Sequence, residues 1–120
     1  MSLPLTPQLL AAAYEYMRAA PPFNRMKLPH ADEVEFSVTR HRDREADHTT
    51  YHRTLEHVIR VSAYFVKDTR TLLEAMGHEM NHAHQARTKT ESRRREHNAE
   101  FNRINARMCK THGWEIDVFN

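Results

Sequence analysis

The chain reads as a small α+β protein, and three observations carry that reading. Apolar residues recur at helical spacing near the N-terminus and again beyond residue 68. Apolar and polar residues alternate at 34–39, as in a half-buried strand. A run rich in β-branched residues, HVIRVSAYF, occupies 57–65. With 120 residues there is room for one domain, 1–120, and no second. Such a domain buries roughly two-thirds of its unfolded-chain surface. The expected architecture is an N-terminal helix, a small, mostly antiparallel three-stranded sheet and two further helices.

Each element has a local reason. Thr6-Pro7 is a cap followed by proline at the first helical position. Leu10, Ala13, Tyr14 and Met17 then share one face, which predicts a helix over 7–20. Pro21-Pro22 ends it, and 23–33 reads as an irregular connection. Val34, Phe36 and Val38 alternate with Glu35, Ser37 and Thr39 to give the first strand. The charge-dense stretch 40–48 reads as an exposed turn, 49–53 as a short second strand, and His57 to Phe65 as the third.

Asp68 or Thr69 caps the next helix, expected to run to about Ala86. Taking His78 as the origin, Leu72, Met76, Met80 and Ala83 cluster at about 120° to 200° around it and should face the core. A last helix is expected from about Glu91 to Lys110, with His97, Phe101, Ile104 and Met108 on one inward stripe. Gly113 is its C-cap. Trp114, Ile116 and Val118 alternate and suggest a terminal strand or extended tail.

Composition narrows the class. The 39% hydrophobic and 28% charged content is that of an ordinary soluble protein. No apolar run approaches the ~20 residues of a membrane span. The N-terminus lacks the positive charge that opens a signal peptide. A cytoplasmic protein with no membrane partner is expected. The single Cys109 rules out an internal disulfide and a cysteine-rich zinc ribbon on this chain. Net charge is +2, yet 87–95 holds five basic residues against one acid.

The chemistry concentrates in His78-Glu79-Met80-Asn81-His82, an H-E-x-x-H pentad inside the second helical run. Histidines at i and i+4 share a helix face and can grip one zinc ion. The intervening Glu79 is placed to take a proton from a water that the metal activates. A catalytic zinc usually has three protein ligands and one open position. His97 is the third ligand of choice, with Glu100 next. His84 lies about 120° away from His78 and should not reach the same ion. Ten histidines in the chain weaken any single motif, so the surrounding pattern has to support this one.

That pattern resembles a known family. The strand His57-Val58-Ile59-Arg60-Val61-Ser62 is followed by Leu72-Leu73-Glu74-Ala75-Met76-Gly77-His78-Glu79-Met80-Asn81-His82-Ala83, then by His97-Asn98-Ala99-Glu100-Phe101. Together they resemble the SprT-like zinc metalloprotease domain, which shows an I-x-h-S strand (h, hydrophobic), an H-E-x-x-H-A helix and a later H-G-x-x-F. The resemblance spans residues 55–113 and implies a minimal zincin-like fold. By position it implies one Zn2+ held by His78, His82 and His97, with Glu79 as general base, hydrolysing peptide bonds of protein substrates. Asn98 stands where the family has Gly, and the cysteine zinc ribbon that many members carry is missing.

Relatives of the Spartan type cleave proteins crosslinked to DNA. The basic stretch Arg87, Lys89, Arg93, Arg94 and Arg95 would suit DNA phosphate contact, although a solvated helix start and loop is the simpler account. His48, His52 and His57 do not converge on one ion in strand or loop geometry, so surface roles are expected. Tyr51, Tyr64 and His112 are each able to supply an oxyanion donor, and nothing selects among them. Gly77 costs ~1 kcal/mol relative to alanine inside a helix and would permit a strand or substrate to approach. The alternative to an enzyme is a non-catalytic DNA- or transcription-associated zinc-binding adaptor with the same fold.

Overall fold

The computed structural model describes residues 4–51, 53–54, 56–92 and 97–115. Helix α1 runs Pro7–Ala19, with the Thr6 hydroxyl accepting from the Leu9 amide. Its buried residues are Leu10, Ala13, Tyr14 and Met17, the four marked by helical spacing. Short 3-10 turns at Phe23–Arg25 and Ala31–Glu33 fill the connection that follows. That connection is tied to α1: the Tyr14 hydroxyl donates to the Pro29 carbonyl at 2.6 Å, and Glu15 accepts the Ala31 amide at 2.6 Å.

Three strands follow: β1 Val34–Thr39, β2 Ala46–Tyr51 and β3 Glu56–Ser62. They are ordered β1-β3-β2, with β1 parallel and β2 antiparallel to β3. The sheet is therefore mixed, a correction to the mostly antiparallel expectation. The reason lies in 40–45, which is not a simple turn. It carries the chain across the end of β3, so β1 and β2 occupy opposite edges. Ser62 anchors this crossing, donating its amide to Glu45 O at 2.7 Å and its hydroxyl to His41 O at 2.6 Å. Strand β2 begins at Ala46, three residues earlier than expected, and β3 stops at Ser62 rather than Phe65.

Register sorts the side chains. Val34, Phe36 and Val38 of β1 pair with His57, Ile59 and Val61 of β3, which pair in turn with Thr50, His48 and Ala46 of β2. This row set includes the fully buried Ile59 and Val61 and faces the helices. The opposite face carries Glu35, Thr49, Val58 and Arg60, exposed or half-buried. There Arg60 Nε bonds Asp47 Oδ1 at 2.6 Å.

Helix α2, Thr69–Thr88, starts where the Asp68 carboxylate accepts the Thr71 amide and ends at Lys89, in the left-handed conformation with φ 59°. It is the central element, contacting α1, the sheet and α3. No residue from Leu72 to Ala86 is exposed. Helix α3 is Ala99–His112, shorter at its start than expected, with Asn98 as N-cap and Gly113 as a left-handed C-cap at φ 74°. Its first turn is set by Asn98 Oδ1, which accepts the Phe101 amide at 2.9 Å. His97 therefore precedes the helix instead of riding on its stripe. The expected terminal strand through Ile116 and Val118 lies outside the described residues. No helix among those described is long and apolar enough to cross a membrane.

Gly77 has a packing reason that neither a strand nor a substrate supplies. A Cβ there would fall 2.3 Å from Met108 Sδ and 2.9 Å from Met17 Cε, so glycine lets α1 and α3 close on α2. Replacing it with alanine would regain helix propensity at the cost of shifting both methionines. A branched side chain has no such room. Gly77→Val should destabilise the fold by about 1–3 kcal/mol, the usual cost of overpacking. Urea unfolding at fixed pH reads this, and an unchanged midpoint would contradict the packing account.

Candidate metal centre

Helix α2 places His78 and His82 one turn apart on one face, and the segment before α3 lays His97 against them. The ring centroids stand 5.0 Å apart for His78–His82, 4.8 Å for His78–His97 and 5.2 Å for His82–His97. One nitrogen from each ring lies within 4.8 Å of the others, close enough to bind a metal ion. Phe101 forms the floor. Its ring stacks on His97 at 4.1 Å and 6°, and lies 4.6 Å from His82 and 5.0 Å from His78. Phe101 is 1% exposed, so the three imidazoles rest on a rigid apolar plate.

The donor set suits a metal on two grounds. His97 Nε2 is buried with no hydrogen-bond partner among the described residues, and a buried polar atom of that kind costs free energy unless something meets it. Burial, with the neighbouring His82 and His97 adding to it, lowers the His78 pKa to about 3. Its imidazole is thus neutral near pH 7 and offers a lone pair.

Glu79 is 6% exposed and shares a cleft of about 550 Å³ with His78 and His82. The opposite wall comes from the crossing segment and β2, with Asp43, Arg44, Asp47 and His48, and from Glu91 beyond α2. Arg44 pairs with Asp43 at 2.8 Å and Asp47 at 3.5 Å, which partly neutralises that wall.

The remaining candidates fall elsewhere. Glu100 pairs with Arg103 and is outside the histidine cluster. His84 is half-buried and also outside it. Tyr51 is exposed and lines other clefts. Tyr64 is exposed beneath Arg42, whose guanidinium carbon is 5.1 Å from the ring centroid. His112 stacks on Trp114 at the far end of α3. None of these three lines the cleft that holds Glu79. Of the basic stretch, Arg87 is half-buried with Nη1 3.5 Å from His57 Nε2, and Lys89 is exposed at the helix end. Arg93, Arg94 and Arg95 lie outside the described residues.

A second histidine pair does converge, contrary to the expectation of separate surface roles. His48 Nε2 and His57 Nδ1 are 2.9 Å apart, and the Thr50 hydroxyl lies 2.8 Å and 2.9 Å from them. His57 is 2% exposed. His52 lies outside the described residues. The signal for this pair was strand register, which brings Thr50 opposite His57. Ending the exposed turn at residue 48 hid it.

No protein-family model and no curated protein matches the chain.

The low His78 pKa has a stability consequence for the metal-free protein. Between about pH 3 and the unfolded value of 6.5, the unfolded chain binds a proton that the folded chain refuses. Stability of the metal-free fold should therefore fall as pH drops from 6.5 towards 3. Burial lowers His84 and His112 as well, so they add in the same direction. Urea unfolding at pH 7 and pH 5 measures the loss, and His78→Gln should reduce it. A slope unchanged by that variant would contradict the assignment to His78.

Proposed function

We propose that this protein is a zinc-dependent metallopeptidase of SprT-like type, acting on protein substrates. The observation that supports it most is the convergence of His78, His82 and His97 on Phe101 with Glu79 beside them in an open cleft. The blocks around the pentad add the motif-level resemblance. Zinc held by the three histidines supplies Lewis-acid activation of water and of a scissile carbonyl.

The chain's own groups do the rest. His78, His82 and His97 present imidazole nitrogens to one point, and His78 and His82 border the cleft that Glu79 shares. Glu79 takes the proton from the attacking water and returns it to the departing amine. Its low exposure keeps bulk water from competing for that proton. The cleft wall of Asp47 and His48 belongs to β2, an edge strand, and confines the substrate from the far side. A non-catalytic adaptor would have no use for an acid at position 79, which favours the enzyme.

The test combines metal content with turnover of a denatured protein substrate. Wild type and Glu79→Gln should each hold one zinc per chain. Turnover in Glu79→Gln should fall by roughly 10²–10⁴-fold, the usual worth of general acid–base help. Equal turnover in the two would remove Glu79 from the mechanism. Zinc absent from metal-replete wild type would sink the metallopeptidase reading.

A further inference from the structure

Helix α2 carries two amide side chains on the face that bears the histidine pair. Asn81 and Gln85 lie within about 60° of His78 around the helix at 3.6 residues per turn. Both are 0% exposed. A buried glutamine on a ligand-bearing helix needs a reason, because its amide must be satisfied or it costs stability.

Gln85 spends the NH2 of its amide on the segment that delivers His97, while its Oε1 has no partner among the described residues. Its Nε2 donates to Asn98 Oδ1 at 2.8 Å and lies 3.3 Å from Thr90 O. Asn98 Nδ2 closes the triangle by donating to Thr90 O at 2.7 Å. The Thr90 amide in turn donates to the Gln85 carbonyl at 3.0 Å. One residue of α2 thus holds both stems of the excursion that leaves at Thr90 and returns at Asn98. Asn81 extends the clamp, donating from Nδ2 to Phe101 O at 3.0 Å.

His97 is the residue immediately before the clamped Asn98. Its position relative to His78 and His82 therefore depends on the clamp. Pinning both stems to the helix that carries the first two histidines lowers the loop entropy that recruiting the third would otherwise cost.

We propose that Gln85 is the positioning residue for His97: by tying Thr90 and Asn98 to α2, it fixes the third imidazole at ligating distance from the other two. The inference rests on the metal reading of the three histidines and goes beyond it by naming what preorganises the site. Gln85 does not touch the ion. Outer residues that orient metal ligands are commonly worth 10–100-fold in affinity.

The experiment is a double-mutant cycle on zinc affinity, read by competition against a graded series of chelators. It uses wild type, Gln85→Met, His97→Ala and the pair combined. Gln85→Leu serves as a second version in case methionine fails to pack. In both variants Asn98 Nδ2 still reaches Thr90 O and the Thr90 amide still reaches the Gln85 backbone carbonyl, so only the side-chain ties from Gln85 are lost and the fold is expected to persist.

In the wild-type background, Gln85→Met should weaken zinc by roughly 10–100-fold. In the His97→Ala background it should change the affinity less than twofold, because the ligand through which Gln85 acts is gone. A control, Leu10→Ala in α1, should lower the thermal midpoint without moving zinc affinity. Equal losses in both backgrounds would show a general structural effect and overturn the proposal. So would unchanged affinity in Gln85→Met, which leaves the metal site itself standing. Failure of wild type to bind zinc would overturn the proposal and the metal reading together.

Discussion

The burial of α2 on every side governs the rest of the molecule. A helix enclosed by α1, the sheet and α3 cannot keep a solvated polar face, so each polar side chain on it needs a partner or a task. Glu74 pairs with Arg70 at 2.7 Å. Asn81 and Gln85 bond the backbone and cap that lead into α3. His78, His82 and Glu79 open onto the cleft. Gly77 lets Met17 and Met108 approach the helix. One helix thus holds the core together and presents the chemistry, and its rigidity passes directly to the site.

That arrangement explains why the site is built from so few elements. Two of the three candidate ligands come from one helix, whose 3.6-residue period fixes their separation without help from tertiary contacts. Only the third must be brought in, and a short excursion stapled back to the same helix brings it. The apolar plate of Phe101 sits in the first turn of α3, where the Asn98 cap sets the start of that helix. Glu79 then has the core on one side and the cleft towards β2 on the other.

Much of this was legible in the sequence, for identifiable reasons. The pentad and the apolar arc of Leu72, Met76, Met80 and Ala83 follow from helix period alone, and all four are buried. The boundaries of α1 were marked by Thr6, Pro7 and the proline pair. The sheet was harder. Parallel pairing of β1 with β3 depends on a crossing segment held by Ser62, and nothing local in RHRDRE announces a path over a strand end. The same charges hid the start of β2, and with it the meeting of His48 and His57. The start of α3 was misplaced because the residues from Glu91 on look helical by composition. Asn98, read as a departure from a glycine, turned out to be the cap.

On the reading proposed above, three histidines and no fourth protein group hold one metal ion. X-ray absorption at the zinc edge, on protein loaded with one equivalent of zinc, tests it most directly. The spectrum should show three imidazole nitrogens at about 2.0–2.1 Å, one light-atom position that exchanges with added anion, and loss of one imidazole in His97→Ala. A fourth protein ligand that no anion displaces, or an imidazole count that His97→Ala leaves unchanged, would contradict it.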